Sequence, residues 1–249
     1  MANVSPGQVS GRPRFQPAFF LWMALVMTAF ILGGFGLTYL QPMASGSLAP
    51  LPPVVHIHGA FYFSWMLLLV LQAVLIRVKS VQLHRSLGTF GIFIATSLLA
   101  LGSLLTVLFM GVGSRNPAPT FYPLSYLSVL AVLSFGVLFC LSIRSTRKPE
   151  DHKRLMLFAT INLLPPGINR LYMISFGLTE LPLLATWLTL DAMALAILIY
   201  DWRTLGRISG ATWIGAACVV LPQLLYPLVV DSAAFASLCS TLGSMAYYR

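Results

Sequence analysis

Seven apolar stretches, each long enough to cross a lipid bilayer as a helix, dominate the sequence and leave little room for another architecture. They run over approximately 16–40, 54–77, 86–111, 122–144, 154–176, 180–201 and 211–232. A hydrocarbon core about 30 Å thick takes about 20 residues at ~1.5 Å of rise each. A mean hydropathy of +0.86, with 58% hydrophobic and 8% charged residues, lies far outside the range of water-soluble chains. The predicted fold class is therefore all-α, a polytopic integral membrane helical bundle. Short connections favour antiparallel neighbours in one domain. Residues 1–15 are expected as a cytoplasmic tail, 16–232 as the seven-helix membrane domain and 233–249 as an outer tail.

The net charge of +9 reports topology, because the basic residues cluster in the gaps between apolar runs. That distribution excludes a nucleic-acid partner and implicates the lipid bilayer. Arg12, Arg14, Arg77, Lys79, Arg85, Arg144, Arg147, Lys148, Lys153, Arg154, Arg203 and Arg207 all fall on one side. Of the 15 Lys and Arg this leaves Arg115 and Arg249 opposite and Arg170 within a span. The positive-inside rule then puts the N-terminus in the cytoplasm and the C-terminus outside. The first run is too long for a signal-peptide core and is expected as a retained span. Cys140, Cys218 and Cys239 have no spacing that suggests a disulfide framework or a zinc site.

All four histidines sit at expected membrane boundaries. His84 and His152 open the third and fifth spans on the cytoplasmic side. Two imidazoles at one depth on different helices are what a bis-histidine haem b requires. Arg85, Lys153 and Arg154 would then meet its propionates. The alternative places both rings in the headgroup layer, with the neighbouring bases on anionic lipid. The two segments also form a weak internal repeat, each running from Ile-Arg through a basic turn into His and an apolar span.

His56 and His58 begin the second span on the outer side. On a helix their rings point ~200° apart. If residues 53–57 are extended, alternation puts both rings on one side, suiting copper or zinc with a third ligand such as Met43. Further along, His58, Trp65 and Gln72 recur every seventh residue, with Tyr62 one turn after His58, which gives span 2 a polar-capable inward stripe.

The fifth span, "DHKRLMLFATINLLPPGINR", carries Pro165 and Pro166 and so is expected to kink. Arg170 lies beyond the kink, about 9 Å below the outer surface, where an unpaired guanidinium is costly. Asp191 in span 6, only ~7 Å deeper, is its expected partner, with Glu180 the shallower competitor. Such a pair serves either as a structural pin or as part of a proton or substrate path.

Several signatures are absent: there is no Walker loop, dinucleotide fingerprint, H-E-x-x-H, G-x-S-x-G or mid-span lysine for a retinal Schiff base. In their place, "HIHGAFYFSW", "LQAVLIRVKSVQLHRSLG" and "DHKRLMLFATINLLPPGINR" resemble a group of uncharacterised multi-pass bacterial membrane proteins, a domain-of-unknown-function family. The pattern falls here on His58, Gln72, His84, Arg85, Leu87, Gly88, His152, Met156 and Arg170. The His-led helices are also distantly similar to membrane b-type cytochromes and to small assembly proteins of haem-copper oxidases. Three functions follow as expectations. The first is a haem-binding, redox-associated protein using His84 and His152, with a redox partner or quinone. The second is a small carrier, channel or lipid-interacting protein with His58, Gln72, Arg170 and Asp191 lining a polar path. The third is an assembly factor in which these groups only pin helices. Whether the chain is an enzyme stays open at this level.

Overall fold

In the computed structural model, residues 17–114 and 117–247 are described. The expected N-terminal tail, with Arg12 and Arg14, and the isolated bases Arg115 and Arg249 lie outside them. The described chain is helical throughout, with no strand among the described residues. Helix α1 (Pro17–Phe35) continues through a π turn (Gly36–Leu40) and four further residues (Gln41–Ala44). It is followed by α2 (Pro53–Arg77), α3 (Val81–Gly113), α4 (Phe121–Arg144), α5 (Pro149–Ile161), α6 (Pro165–Phe176), α7 (Leu183–Leu205), α8 (Gly210–Val229) and α9 (Ala233–Ser244).

Six of these elements, α1 with its continuation, α2, α3, α4, α7 and α8, are long and apolar enough to cross a membrane. Each turns large apolar side chains outward, among them Trp22, Leu67, Phe93, Leu133, Leu188 and Leu224, as helices in contact with lipid do. The fifth expected span departs from the others. It is two helices, because the nitrogens of Pro165 and Pro166 carry no hydrogen and cannot bond the carbonyls of Ile161 and Asn162. The chain compensates locally: Leu164 N–H donates to Ile161 O at 3.1 Å, and the Asn162 amide donates to Phe158 O at 2.9 Å. Gly167 N–H folds back to Leu164 O, which leaves the Leu163 carbonyl without its helical donor. The Tyr62 hydroxyl of α2 donates to that oxygen at 2.7 Å.

This broken segment occupies the middle of the bundle. Helix α5 packs on α1, α4, α7 and α8, and α6 packs on α1 and α7. Leu155, Leu157, Phe158, Ala159, Ile161, Leu164 and Ile168 are consequently buried. Arg154 meets Asp201 near one end of α7, and Asn169 meets Thr186 near the other. The two residues of each helix pair are separated by the same number of positions, so α5 and α6 together run beside about 22 Å of α7. At the α1–α6 crossing the backbones touch. A Cβ on Gly34 would stand 2.1 Å from Gly167 O, so only glycine fits there.

The segment expected as an outer tail holds α9. Ser232 caps it by accepting from Phe235 N–H at 3.1 Å, and Phe235, Cys239 and Gly243 face inward, Gly243 lying against the backbone of Met110. The signal was present in the sequence as a serine followed by apolar residues at helical spacing.

Candidate binding site

Three groups of polar side chains lie inside the bundle. The first is at the basic end, where α2 turns into α3. Lys79, with φ of 61°, makes the left-handed turn that ends α2, and Ser80 N–H closes it on Leu75 O at 2.8 Å. The turn places His84 of α3 beside Gln72 of α2. The Gln72 amide nitrogen approaches the space above Gly88, one helical turn beyond His84. The His84 ring lies against the Gln72 backbone, yet its Nδ1 has no hydrogen-bonding partner, and neither has either side-chain polar atom of Gln72. His84 and His152 are within electrostatic reach of each other. His152 Nδ1 stands 2.9 Å from Ser142 O, and the Ser142 hydroxyl donates to His152 O at 3.1 Å. The Ser142 hydroxyl also stands 3.0 Å from Nδ1, so Ser142 engages that nitrogen in either tautomer, through its carbonyl when Nδ1 carries the proton and through its hydroxyl when it does not.

The structure thus sets His84 and His152 within electrostatic reach of each other, but it divides their expected arginine partners. Arg85 is exposed at the start of α3. Arg154 is fully buried and spent in an ionic network. Its Nε donates to Asp201 Oδ1 at 2.6 Å, its Nη2 makes an ionic contact of 2.5 Å with the same oxygen outside hydrogen-bonding geometry, and its Nη1 donates to Glu150 Oε2 at 2.6 Å. Asp201 also accepts from the Thr212 hydroxyl at 2.6 Å and from Ser209 N–H at 3.0 Å. Arg154 as a propionate anchor is therefore replaced by Arg154 as the tie between α5, α7 and the α7–α8 turn. Sequence reasoning missed Asp201 as its partner, since one acidic residue near a helix end carries no distinguishing pattern.

The third group surrounds the break. A cavity of about 570 Å³ lies between α1, α2, α3, α4 and the α5–α6 junction. Its walls are mostly apolar, with Phe63, Leu99 and Phe135 among them, and His58, Tyr62 and Tyr39 bring polar groups to it. His58 Nδ1 is buried without a partner, and its ring stacks on Tyr62 with centroids 6.3 Å apart. Cavities of this size and character are typical small-molecule sites. A second cavity of about 460 Å³ adjoins it along Ser128, Ala131 and Pro166 and is lined by Thr120, Asn169, Arg170 and Thr179.

Two expectations about the opposite end are corrected. Helix α2 is already formed at Pro53, so His56 and His58 diverge as helical residues and do not share a metal ion. His56 Nδ1 instead shares a 2.6 Å hydrogen bond with the Tyr39 hydroxyl, while His58 faces the larger cavity. No group of three or more His, Cys, Asp or Glu converges among the described residues, and Met43 is exposed. Arg170 and Asp191 are likewise not paired. Asp191 accepts from the Gln223 amide of α8 at 2.9 Å, whereas Arg170 Nη1 donates to Pro166 O at 3.1 Å and its guanidinium stands over Phe35 at 4.6 Å. The break explains the difference: it shifts α6 against α1, so Arg170 meets the aromatic end of α1 and turns away from α7.

No protein-family model matches the chain, and no curated protein or solved structure is significantly similar to it.

Proposed function

We propose that the protein is a seven-span membrane protein that takes a small, mostly apolar molecule from the bilayer into the cavity around the broken fifth span, as its carrier or binding protein. In this reading α5 and α6 form one interrupted crossing, the basic turns face the cytoplasm of a bacterial cell, and the C-terminus is outside. The observation that carries it is the mostly apolar cavity of about 570 Å³ against the helix break, bordered by the His58 imidazole and the Tyr62 ring. Interrupted helices recur at the substrate sites of membrane transporters, where irregular backbone lines a cavity. Gly102 is a means of closing the space, because a Cβ there meets Val132 at 3.4 Å and His58 at 3.8 Å. Purified wild-type protein should carry a stoichiometric small molecule through gentle detergent extraction, detected by native mass spectrometry, and Gly102→Phe should lose it. Equal profiles for the two proteins, with bulk lipid only, would refute the cavity reading.

A second reading, haem b ligated by His84 and His152, is favoured by the contact of His152 with Ser142. With its proton on Nδ1, His152 donates to Ser142 O at 2.9 Å and frees Nε2, which is how metal-ligating imidazoles are commonly oriented. His84, with an unpartnered ring nitrogen, fits the same role. Bound haem would supply one-electron chemistry; the chain's own part would be to hold the two imidazoles at one depth. Absence of a Soret band after expression with a haem precursor overturns this reading. If the band is present, His84→Ala should remove it and His56→Ala should leave it.

A further inference from the structure

Arg170 is a charged group that has no countercharge among the described residues. Neither Asp191 nor Glu180 lies within ion-pairing distance, and among the described residues the ionisable group acting on it is the Tyr62 phenol, which keeps its proton while donating to Leu163 O. Of the five N–H donors on a guanidinium, one bond is made, from Nη1 to Pro166 O. The rest of the group stays exposed in the smaller cavity. Asn169, which lines the same space, accepts from the Thr186 hydroxyl at Oδ1, which aims its carbonyl at α7 and leaves its side-chain N–H groups as donors. Both groups therefore offer donors. An acceptor of negative charge is what the place lacks, and an uncompensated guanidinium at membrane depth is costly enough to mark a functional position.

The two cavities adjoin at Ser128, Ala131 and Pro166, and the Arg170 guanidinium of the smaller one stands 4.6 Å over the ring of Phe35, which lines the larger. Resting on the cavity reading above, we infer that the natural guest is an amphiphile with a single anionic head, a carboxylate or phosphate. The head pairs with Arg170 in the smaller cavity and the apolar chain fills the larger one against Phe63, Leu99 and Phe135. The helix break makes this arrangement available. Pro166 lines both cavities, and its carbonyl holds Arg170 back along the first turn of α6, so the guanidinium lies beside their shared wall.

The test is equilibrium binding of radiolabelled oleate to the full-length protein in detergent at alkaline pH, where the fatty carboxyl is ionised. Oleyl alcohol and inorganic phosphate serve as competitors. Oleate should bind at least about tenfold tighter than oleyl alcohol, as one charge-assisted hydrogen bond implies. Arg170→Gln should abolish that preference and Arg170→Lys should retain most of it. Inorganic phosphate, lacking a chain, should not compete at concentrations near those of oleate. Equal affinity for oleate and oleyl alcohol, in a protein whose binding Gly102→Phe still eliminates, overturns the anionic head and leaves the cavity reading standing. Competition by free phosphate as strong as by oleate overturns the amphiphile in favour of a soluble anion. Binding of neither lipid in a Gly102→Phe-sensitive manner overturns the cavity reading itself.

Discussion

Removing the Asp201 carboxylate isolates a buried guanidinium, and the consequence can be worked out contact by contact. In Asp201→Ala, Arg154 loses the acceptor at 2.6 Å from Nε and the ionic contact at Nη2, while Thr212 and Ser209 lose the oxygen they both share. Glu150 still holds Nη1, but its side chain is half exposed and weakened by water. Breaking a buried pair from one side costs about 3–5 kcal/mol. At about 2–4 °C per kcal/mol for a chain of this length, the midpoint of thermal unfolding should fall by about 6–20 °C. Arg154→Met should cost less, because Asp201 keeps Thr212 and Ser209 as donors. The double variant Arg154→Met/Asp201→Leu removes both charges together and should be more stable than the two single losses added together imply. Thermal unfolding in detergent, followed by the recovery of monodisperse protein on size exclusion, reads all three. A shift below about 2 °C for Asp201→Ala, or a double variant that merely equals the summed losses, would show that the network does not hold the helices as argued.

Tyr62→Phe leaves the Leu163 carbonyl unpaired at the helix break and should cost about 1–3 kcal/mol in the same assay, with no loss if water replaces the phenol. Gly34→Ala should prevent α1 from meeting α6 and lower the yield of folded protein sharply, while Gly36→Ala, where a Cβ meets nothing within 4 Å, should not; equal behaviour of the two would contradict the close backbone approach. Asp191→Asn keeps an acceptor for the Gln223 amide and should shift stability by less than about 1 kcal/mol, whereas a loss of about 3–5 kcal/mol would restore Asp191 as the partner of Arg170.

The sequence by itself determined that this chain is a bundle of apolar helices, because length and hydropathy act residue by residue and need no knowledge of neighbours. It also determined where the fifth segment breaks, since the missing N–H of Pro165 and Pro166 is a local covalent fact. The inward stripe of His58, Trp65 and Gln72 was legible for a similar reason, as helical periodicity fixes which residues share a face. Partner choice was not. Arg154 and Arg170 look alike as sequence, each an arginine near polar residues, and depth alone favoured Asp191 for Arg170. Which carboxylate an arginine meets depends on the rotation and sliding of whole helices, and these are set by contacts far apart in the chain. The glycine contact between α1 and α6 turns Arg170 toward Phe35, and the α7–α8 turn presents Asp201 to Arg154. The cavities belong to the same class of fact, being the space that remains where a broken helix cannot fill the packing between its neighbours.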